Sequence, residues 1–271
     1  MTPAPTLVDI GLNLAHDSFD HDRAEVIATA MAAGVRHMVI TGSSLDSTQQ
    51  AIDLVRTDPM AFRATAGVHP HHASTLRETD LPRLRDLMAA PEVAAAGECG
   101  LDYFRNFSSH EDQERAFRWQ LELAIECGKP VFLHQRDGHD AFVGILKEYL
   151  PRLAGGVAHC FTGEARELRD YVDLGLYVGI TGWICDERRG RHLQDLVRDI
   201  PLDRLLVETD APYLLPRDLQ PKPAHRRNEP KYLPHIVKVI AACRGEPFPT
   251  VAAATTRNAL KFFGFPPDGN A

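Results

Sequence analysis

The 271-residue sequence lacks any run of about 18 apolar residues, the length that a helix needs to cross a bilayer. Its first residues also lack the basic and apolar segments of a secretory signal. The five cysteines are widely spread, and no two of them have the CxxC spacing. This pattern argues against a disulfide framework and favours a reduced compartment. We therefore expect a cytoplasmic protein with no membrane segment.

The sequence also has no excess of positive charge. It contains 30 Lys and Arg residues against 37 Asp and Glu residues, for a formal net charge of −7. This balance argues against a protein that coats duplex nucleic acid, because such a surface must neutralise many phosphates. With 44% hydrophobic and 25% charged residues, the composition is that of a globular protein. No linker, repeat or composition shift divides the chain, so we expect one domain over residues 1–271.

Short apolar runs alternate with longer segments of helical periodicity, which is typical of βα units in a parallel sheet. The sequence predicts eight strands, at Leu7–Ile10, Val35–Thr41, Phe62–Gly67, Val93–Gly97, Val131–His134, Gly156–Cys160, Tyr177–Thr181 and Leu205–Glu208. It predicts helices at Arg23–Ala33, Leu45–Arg56, Leu81–Met88, His110–Cys127, Ala141–Tyr149, Ala165–Asp173, Gly190–Asp199, Glu229–Cys243 and Thr250–Phe263. This α/β pattern predicts a (β/α)8 TIM barrel. A doubly wound open sheet is the alternative, but the phosphate loops GxGxxG and GxxxxGK[ST] are absent.

Polar side chains follow several of the predicted strands, at the end where a barrel keeps its active site. Four of them follow strands four, five, six and eight: Glu98, His134, His159 and Asp210. Two imidazoles and two carboxylates suit one divalent cation such as Zn²⁺ or Mn²⁺, and a carboxylate-rich site also holds Mg²⁺. For each residue alone, the alternative is a buried polar side chain that forms hydrogen bonds in the core. Taken together, the four residues predict a divalent metal site.

Longer strings accompany these residues, namely DIG at 9–11, AGVHPH at 66–71, GECGLD at 97–102, HCFTG at 159–163, GITGW at 179–183, ETDAPY at 208–213 and RRNEP at 226–230. With these strings the chain closely resembles the TatD-type metal-dependent deoxyribonucleases, a branch of the amidohydrolase-like barrels. The resemblance covers nearly the whole length. The strings CDERRG at 185–190 and LLPRD at 214–218 are similar to the central members of the family rather than to distant paralogues.

The resemblance implies a metal-dependent hydrolase barrel with 3′→5′ exonuclease activity on single-stranded DNA, and on RNA in some members. It implies that the metal ligands are Glu98, His134, His159 and Asp210. Asp210 and Glu98 are then the catalytic residues, and Asp210 also handles the attacking water. We expect Mg²⁺, with Mn²⁺ or Zn²⁺ as alternatives. The expected role is DNA repair or nucleic-acid turnover, carried out by a monomer.

One feature departs from the family pattern. Many members carry His-x-His after the first strand, which supplies a second metal ion, whereas this chain has Gly11 and Asn13 at these places. Glycine has no ligand atom and asparagine offers only a neutral amide, so we expect one tightly bound ion. His69 and His71 follow the third strand, and we expect both to contact substrate. A partial replacement of the missing ligands by His16 or His69 is the alternative.

Positive charge is concentrated between residues 216 and 232, at Arg217, Lys222, Arg226, Arg227 and Lys231. This segment follows strand eight, so a barrel places it beside Asp210. We expect Arg226 and Arg227 to contact phosphates, and the alternative is a solvated, proline-rich loop. We expect Arg136, two residues after His134, to contact substrate at a phosphate, and the alternatives are that it orients His134 or forms a surface ion pair. Four aromatic residues on predicted strand-end loops are able to stack on bases or simply pack: Phe104, Phe107, Trp183 and Tyr213.

Two other functions are compatible with the sequence. Related barrels use similar metal sites to hydrolyse small esters, lactones or amides, and the basic segment is the feature that favours phosphodiesters instead. A nucleic-acid binding or scaffold protein with a vestigial site is the non-enzymatic alternative, and the acidic composition argues against it.

Overall fold

The computed structural model describes residues 6–266. The strands are β1 (Leu7–Leu12), β2 (Val35–Ile40), β3 (Phe62–Ala66), β4 (Val93–Asp102), β5 (Val131–Arg136), β6 (Gly156–Ala158), β7 (Tyr177–Ile180) and β8 (Leu205–Val207). The α-helices are α1 (Arg23–Ala32), α2 (Leu45–Val55), α3 (Leu81–Ala89), α4 (His110–Glu126), α5 (His139–Tyr149), α6 (Ala165–Asp173), α7 (Arg191–Leu196), α8 (Leu233–Arg244) and α9 (Phe248–Phe263). Short 3-10 turns lie at Asp17–Phe19, Pro70–Thr75, Glu78–Asp80, Leu150–Arg152, Gly182–Cys185, Val197–Asp199 and Pro230–Tyr232.

The eight strands form one parallel sheet in the order β1 to β8, which confirms the predicted barrel. Hydrogen bonds close it between the ends of β1 and β8. Asn13 N donates to Ala211 O (2.7 Å), and Asp210 N donates to Gly11 O (2.8 Å). The buried Asp9 carboxylate adds a bond from Thr209 N (2.9 Å). The carboxyl ends of β1 and β8, which carry candidate site residues, are therefore joined directly.

Residues of the strands face two different apolar layers, as the twofold period of a strand predicts. One layer fills the barrel interior and is closed at the amino-terminal end by α9; its buried members are Val8, Ile10, Val39, Ala95, Phe132, Val157, Leu206, Ala259, Phe263 and Phe265. The other, larger layer lies between the strands and the surrounding helices. Side chains fill the barrel at its amino-terminal end, so the open cavity lies at the carboxyl-terminal end, which is the mouth of the barrel.

The predicted strand ends differ from the observed ones mainly at β4. We predicted that this strand stops at Gly97, but it continues to Asp102 and pairs there with Arg136 of β5. Gly97 has a φ of 133°, and a Cβ at this position would lie 2.1 Å from the Phe132 carbonyl oxygen. A side chain is therefore excluded where β4 turns Glu98 into the mouth. The predicted helix at Glu229–Cys243 begins at Leu233, after a 3-10 turn.

The five residues at each end of the chain, 1–5 and 267–271, lie outside the described residues, so the single domain over 1–271 stays a prediction for the full length. Within 6–266, no helix combines the length and the apolar character needed to cross a membrane.

Candidate active site

The centre of the barrel mouth is a buried carboxylate surrounded by imidazoles. Glu98 Oε1 lies 2.7 Å from His159 Nε2, 3.1 Å from His134 Nδ1 and 3.3 Å from His69 Nε2. Glu98 comes from β4 and His134 from β5, whereas His159 directly follows β6. The structure therefore brings together three of the four sequence-predicted metal ligands. His69, which we expected to contact substrate, lies beside them.

Asp102 connects His134 and a further histidine, His71, to the backbone. Its Oδ2 lies 2.7 Å from His71 Nε2 and 3.3 Å from His134 Nε2. Its Oδ1 accepts hydrogen bonds from Phe104 N (3.1 Å) and Arg105 N (2.8 Å). The carboxylate thus fixes the ring of His134 from the side opposite Glu98 and ties it to the loop that follows β4. His71, predicted to bind substrate, is held by the same carboxylate.

Glu208 is the second buried carboxylate of the site and has no solvent exposure. Its Oε1 accepts a hydrogen bond from Cys160 N (2.5 Å), and its Oε2 lies 3.3 Å from His159 Nδ1. A Cβ at Gly11 would lie 2.3 Å from Glu208 Oε2. The space that a side chain at position 11 would need is therefore filled by this carboxylate. Where many family members carry the first histidine of His-x-His, this chain has Gly11, and the Glu208 carboxylate from the end of β8 occupies the space beside it.

Asp210, the fourth predicted ligand, lines the same cavity as the other three. Its Oδ1 lies 3.4 Å from the side-chain nitrogen of Asn13, which also donates to Ala211 O at 3.4 Å. Asp210 has a φ of 54°, in the left-handed region. This turn after β8 directs the residue to the mouth rather than along the strand.

The pKa values of the site residues are shifted by burial and by neighbouring charges. Burial lowers the pKa of His69 to about 4, which keeps this imidazole neutral at pH 7. Burial alone would raise the pKa of Glu98, but the neighbouring His69 and His159 hold it well below its usual value. Burial, together with the charges of Glu98 and Glu208, raises the pKa of Asp210 to about 8. Without a cation, the buried carboxylates of Glu98 and Glu208 therefore repel a negative charge on Asp210.

The donor set fits a divalent cation. Ligand atoms of His69, Glu98 and His134 all lie within 4.8 Å of one another. Imidazole nitrogen and carboxylate oxygen are the usual ligands of catalytic zinc and related ions. The cavity around them has a volume of about 540 Å³ and opens at the mouth. Seven sequence-predicted site residues line it: His69, His71, Glu98, His134, Arg136, His159 and Asp210.

Two predicted phosphate contacts do not line this cavity. Arg227 is held away from it by two hydrogen bonds to the Asp22 carboxylate (2.5 and 2.9 Å) and one to Glu229 (3.1 Å). Arg226 is exposed on the loop before α8. Other cations of the basic segment are also neutralised: Lys231 pairs with Glu229 (2.6 Å), and Arg217 lies 3.6 Å from Glu187. The segment therefore does not form the cationic wall that we expected beside Asp210.

Different cations surround the mouth, namely Arg105, Arg136 and Arg189. The Arg136 guanidinium lies 3.7 Å from the centre of the Phe104 ring, and that of Arg189 lies 4.2 Å from the centre of the Trp183 ring. A smaller cavity of about 250 Å³ shares Arg136, Trp183 and Arg189 with the main one and continues outward between them. The mouth thus opens into a groove with a cation and an aromatic ring on each side.

Sequence reasoning did not assign a role to Asp102 or Glu208. Asp102 lies four residues after Glu98, so both face the same side of a strand. That signal was hidden because we ended the strand at Gly97. Glu208 is two residues before Asp210 and was present in the same string. Its role depends on the space above Gly11, which a sequence pattern does not reveal.

Comparisons with known proteins identify the family of the chain. A model of the family described as TatD related DNase matches residues 8–264. The chain is 53% identical over 257 residues to the 3′-5′ ssDNA/RNA exonuclease TatD of Cronobacter sakazakii, covering 95% of this chain and 97% of that protein. It is 50% identical over 263 residues to the protein of the same name from Klebsiella pneumoniae, covering 97% of this chain and 100% of that one.

Among solved structures, a TatD family hydrolase from Entamoeba histolytica superposes with a TM-score of 0.88 at 26% identity, covering 97% of this chain and 99% of that one. These matches confirm the resemblance stated from the sequence strings and extend over nearly the whole barrel. The chain belongs to the TatD related DNase family.

Proposed function

We propose that this chain is a metal-dependent 3′→5′ exonuclease of single-stranded DNA and RNA. The observation that carries the proposal is the convergence of three imidazoles on Glu98 Oε1, within 3.3 Å, at the floor of an open cavity. Family membership implies dependence on a divalent metal ion. The names of the relatives supply the direction and the choice of strand.

We assign the metal to Glu98, His134, His159 and Asp210, with His69 as a further donor. When bound, the ion polarises a phosphoryl oxygen and lowers the pKa of a water. An imidazole-rich set is better matched by Mn²⁺ or Zn²⁺ than by Mg²⁺, which prefers oxygen ligands. Mg²⁺, the ion expected from the sequence, is therefore one arm of the test.

The number of ions follows from the first strand. Gly11 offers no ligand, and the space above it holds the Glu208 carboxylate. The side-chain nitrogen of Asn13 faces Asp210 Oδ1 at 3.4 Å. We therefore retain one tightly bound ion per chain.

The chain's own groups divide the chemistry between them. Asp210 is the carboxylate at the mouth that can accept a proton from the attacking water, a role worth about 10²–10⁴-fold. The water oxygen bonds to phosphorus, and the phosphodiester oxygen on the opposite side leaves. Asp102 and Glu208 hold His134 and His159 in their ring orientations.

A polymeric substrate is supported by the groove that leaves the cavity. Arg105 and Arg136 have no carboxylate partner within residues 6–266, so their charges are available to phosphates. Phe104, Phe107 and Tyr213 are 52%, 66% and 52% exposed and lie on loops at the mouth. Exposed rings beside free cations suit a single strand, because its unpaired bases stack on aromatic side chains while its phosphates meet the cations.

The test is digestion of end-labelled single-stranded DNA, RNA and duplex DNA with Mg²⁺, Mn²⁺ or Zn²⁺ after chelation. We expect stepwise shortening from the 3′ end of single strands, no activity in chelator, and a loss of about 10²–10⁴-fold in Asp210→Asn with metal content measured in parallel. A panel of small esters, lactones and amides is run beside it. Metal-dependent turnover of the panel with no nucleic-acid cleavage would replace the proposal, and binding without turnover would favour a vestigial site.

The groove has its own test. Arg136→Ala should weaken binding of single strands and reduce the slope of log K against log salt by about 0.7, the value for one phosphate contact on a single strand. Arg226→Ala is the matched control, because this exposed arginine does not line the cavity. Equal slopes for Arg136→Ala and the wild type would reject the groove as the path of the strand. DNA repair, a cytoplasmic location and a monomeric state stay predictions.

A further inference from the structure

A second group of metal-competent side chains lies outside the active-site cavity. Cys185, Asp218 and His235 offer a thiol, a carboxylate and an imidazole whose ligand atoms all lie within 4.8 Å of one another. The three residues come from separate segments. Cys185 ends the 3-10 turn after β7, Asp218 lies in the loop after β8, and His235 is in the first turn of α8.

The contacts within this group are polar and local. His235 Nε2 lies 2.7 Å from Asp218 Oδ1, and the Cys185 thiol forms a hydrogen bond with the same carboxyl group. The preceding Arg217 does not neutralise Asp218, because its guanidinium lies 3.7 Å from Asp186 and 3.6 Å from Glu187. Within residues 6–266, no Lys or Arg forms an ion pair with Asp218.

Burial differs among the three side chains in a way that suits a bound ion. Cys185 is only 2% exposed, whereas the side chains of Asp218 and His235 are 43% and 29% exposed. Burial and the charge of Asp218 raise the pKa of the Cys185 thiol, so the free group stays protonated and donates to the carboxylate. The thiol forms the floor of the group, and the carboxylate side is open to water.

We propose that Cys185, Asp218 and His235 bind a Zn²⁺ ion, separate from the active-site metal. Sulfur, nitrogen and oxygen donors are the ligands of four-coordinate zinc, and water supplies the fourth position. Zn–S of about 2.3 Å and Zn–N of about 2.0 Å place tetrahedral ligand atoms roughly 3.3–3.6 Å apart. The three ligand atoms lie within 4.8 Å of one another, and the 2.7 Å between His235 Nε2 and Asp218 Oδ1 can widen because the Asp218 side chain is exposed.

Binding removes protons from two atoms of the protein. The S–H bond of Cys185 breaks, its proton passes to the solvent, and the thiolate bonds to zinc. The Nε2–H bond of His235, which points to the Asp218 carboxylate, also breaks; Nδ1 carries the imidazole proton instead, by exchange with the solvent, so that Nε2 and the carboxylate each bond to the ion. No oxidant or reductant takes part.

The ion would fasten two loops of the mouth to α8. The turn that ends at Cys185 carries Trp183, and the loop that leads to Asp218 carries Tyr213; both of these aromatic residues line the active-site cavity. The two loops already pack closely, since a Cβ at Gly182 would lie 2.3 Å from Leu214 O. The proposal does not depend on the nuclease function, because it rests on a different set of residues.

The experiment uses cobalt as a probe of thiolate ligation. The full-length protein is freed of metal with a chelator and titrated with Co²⁺, whose bond to a thiolate gives a charge-transfer absorption in the near ultraviolet. We expect this band in the wild type, its loss in Cys185→Ser, and its displacement by Zn²⁺. Cys160→Ser and Cys243→Ser are the controls, because Cys160 lines the active-site cavity and Cys243 lies at the end of α8.

A second measurement covers a possible folding defect of Cys185→Ser. His235→Ala leaves the buried thiol in place and should raise the Co²⁺ concentration at half-saturation of the band by about tenfold or more, since even supporting residues cost 10–100-fold. Zinc counted by native mass spectrometry should be one ion higher in the wild type than in Cys185→Ser. The proposal is overturned by the absence of a band in the wild type, by a band that Cys185→Ser keeps, or by a band that only Cys160→Ser loses.

Discussion

The buried carboxylate of Glu208 provides the sharpest test of how the metal site is built. Glu208 does not reach the centre of the cavity, yet its Oε2 lies 3.3 Å from His159 Nδ1. A proton on Nδ1 that is donated to this carboxylate leaves the Nε2 lone pair of His159 directed to Glu98 and to the metal position. We predict that Glu208→Gln impairs metal binding although the substituted side chain has the same shape.

The magnitude follows from the contacts. Glu208 accepts from two donors, His159 Nδ1 and Cys160 N. A glutamine has one acceptor oxygen and an NH₂ group. Either His159 Nδ1 or Cys160 N would then face the NH₂ group, which cannot accept its hydrogen bond. A hydrogen bond to a charged group contributes about 1.5–3 kcal/mol. At about 1.4 kcal/mol per factor of ten, this range corresponds to a loss of roughly 10–100-fold in metal affinity, the range measured for residues that support metal ligands.

The assay is competition for the metal against a chelator of known affinity, followed by nuclease rates at saturating metal. We expect weaker metal binding by about 10–100-fold, with the rate restored to a large extent when metal is in excess. Glu111→Gln, an exposed carboxyl in the first turn of α4, is the control for loss of one negative charge. A folded Glu208→Gln protein that binds metal within twofold of the wild type would show that the carboxylate does not orient His159.

Three further predictions concern stability and the metal. Gly11→Ala should lower the free energy of unfolding by about 1–3 kcal/mol in urea titrations, because its Cβ would lie 2.3 Å from Glu208 Oε2. The control is Gly144→Ala in α5, where a Cβ would have no atom within 4 Å, so that stability should be unchanged or raised. Asp22→Asn should lower the urea midpoint more at pH 7 than at pH 3: the hydrogen bond from Arg227 lowers the pKa of Asp22, so its contribution is fully present above the unfolded value of about 3.9 and decreases below it as pH falls towards the folded value. An equal deficit at both pH values would refute this. Chelation should lower the thermal midpoint of the wild type, with recovery on adding Mn²⁺ or Zn²⁺, because an ion that binds only the folded state stabilises it; an unchanged midpoint would contradict a tightly bound ion.

The barrel was predictable because its signal is repeated. Each buried strand is a short apolar run, each is followed by helical periodicity, and eight repeats leave few alternatives. The ends of strands are less well determined by such patterns. Gly97 and Gly100 interrupt β4, so propensity ends the strand there, while pairing with β5 continues it to Asp102. The end of β4 is therefore determined by its pairing with β5 and not by the residues of β4 alone.

The candidate metal ligands were predictable for the same reason, since they follow strands in a fixed pattern. The loop between β8 and α8 has no periodicity. We predicted that its cations lie beside Asp210 only because they follow it closely in the sequence. In the folded chain, Arg227 meets Asp22, which lies 205 residues earlier in the sequence. An ion pair across such a separation depends on the closed barrel and leaves no local signal.

These ion pairs also explain how an acidic protein is suited to nucleic acid. A net charge of −7 describes the whole surface, whereas a phosphate interacts with the few cations within about 8–10 Å at physiological salt. In the basic segment, Arg227 and Lys231 are neutralised by carboxylates, so the local count of positive residues overstates its field. At the mouth, Arg136 lies against an aromatic ring and has no carboxylate partner within residues 6–266. The position of unpaired cations, rather than the sum of charges or their density along the chain, therefore predicts where a strand enters.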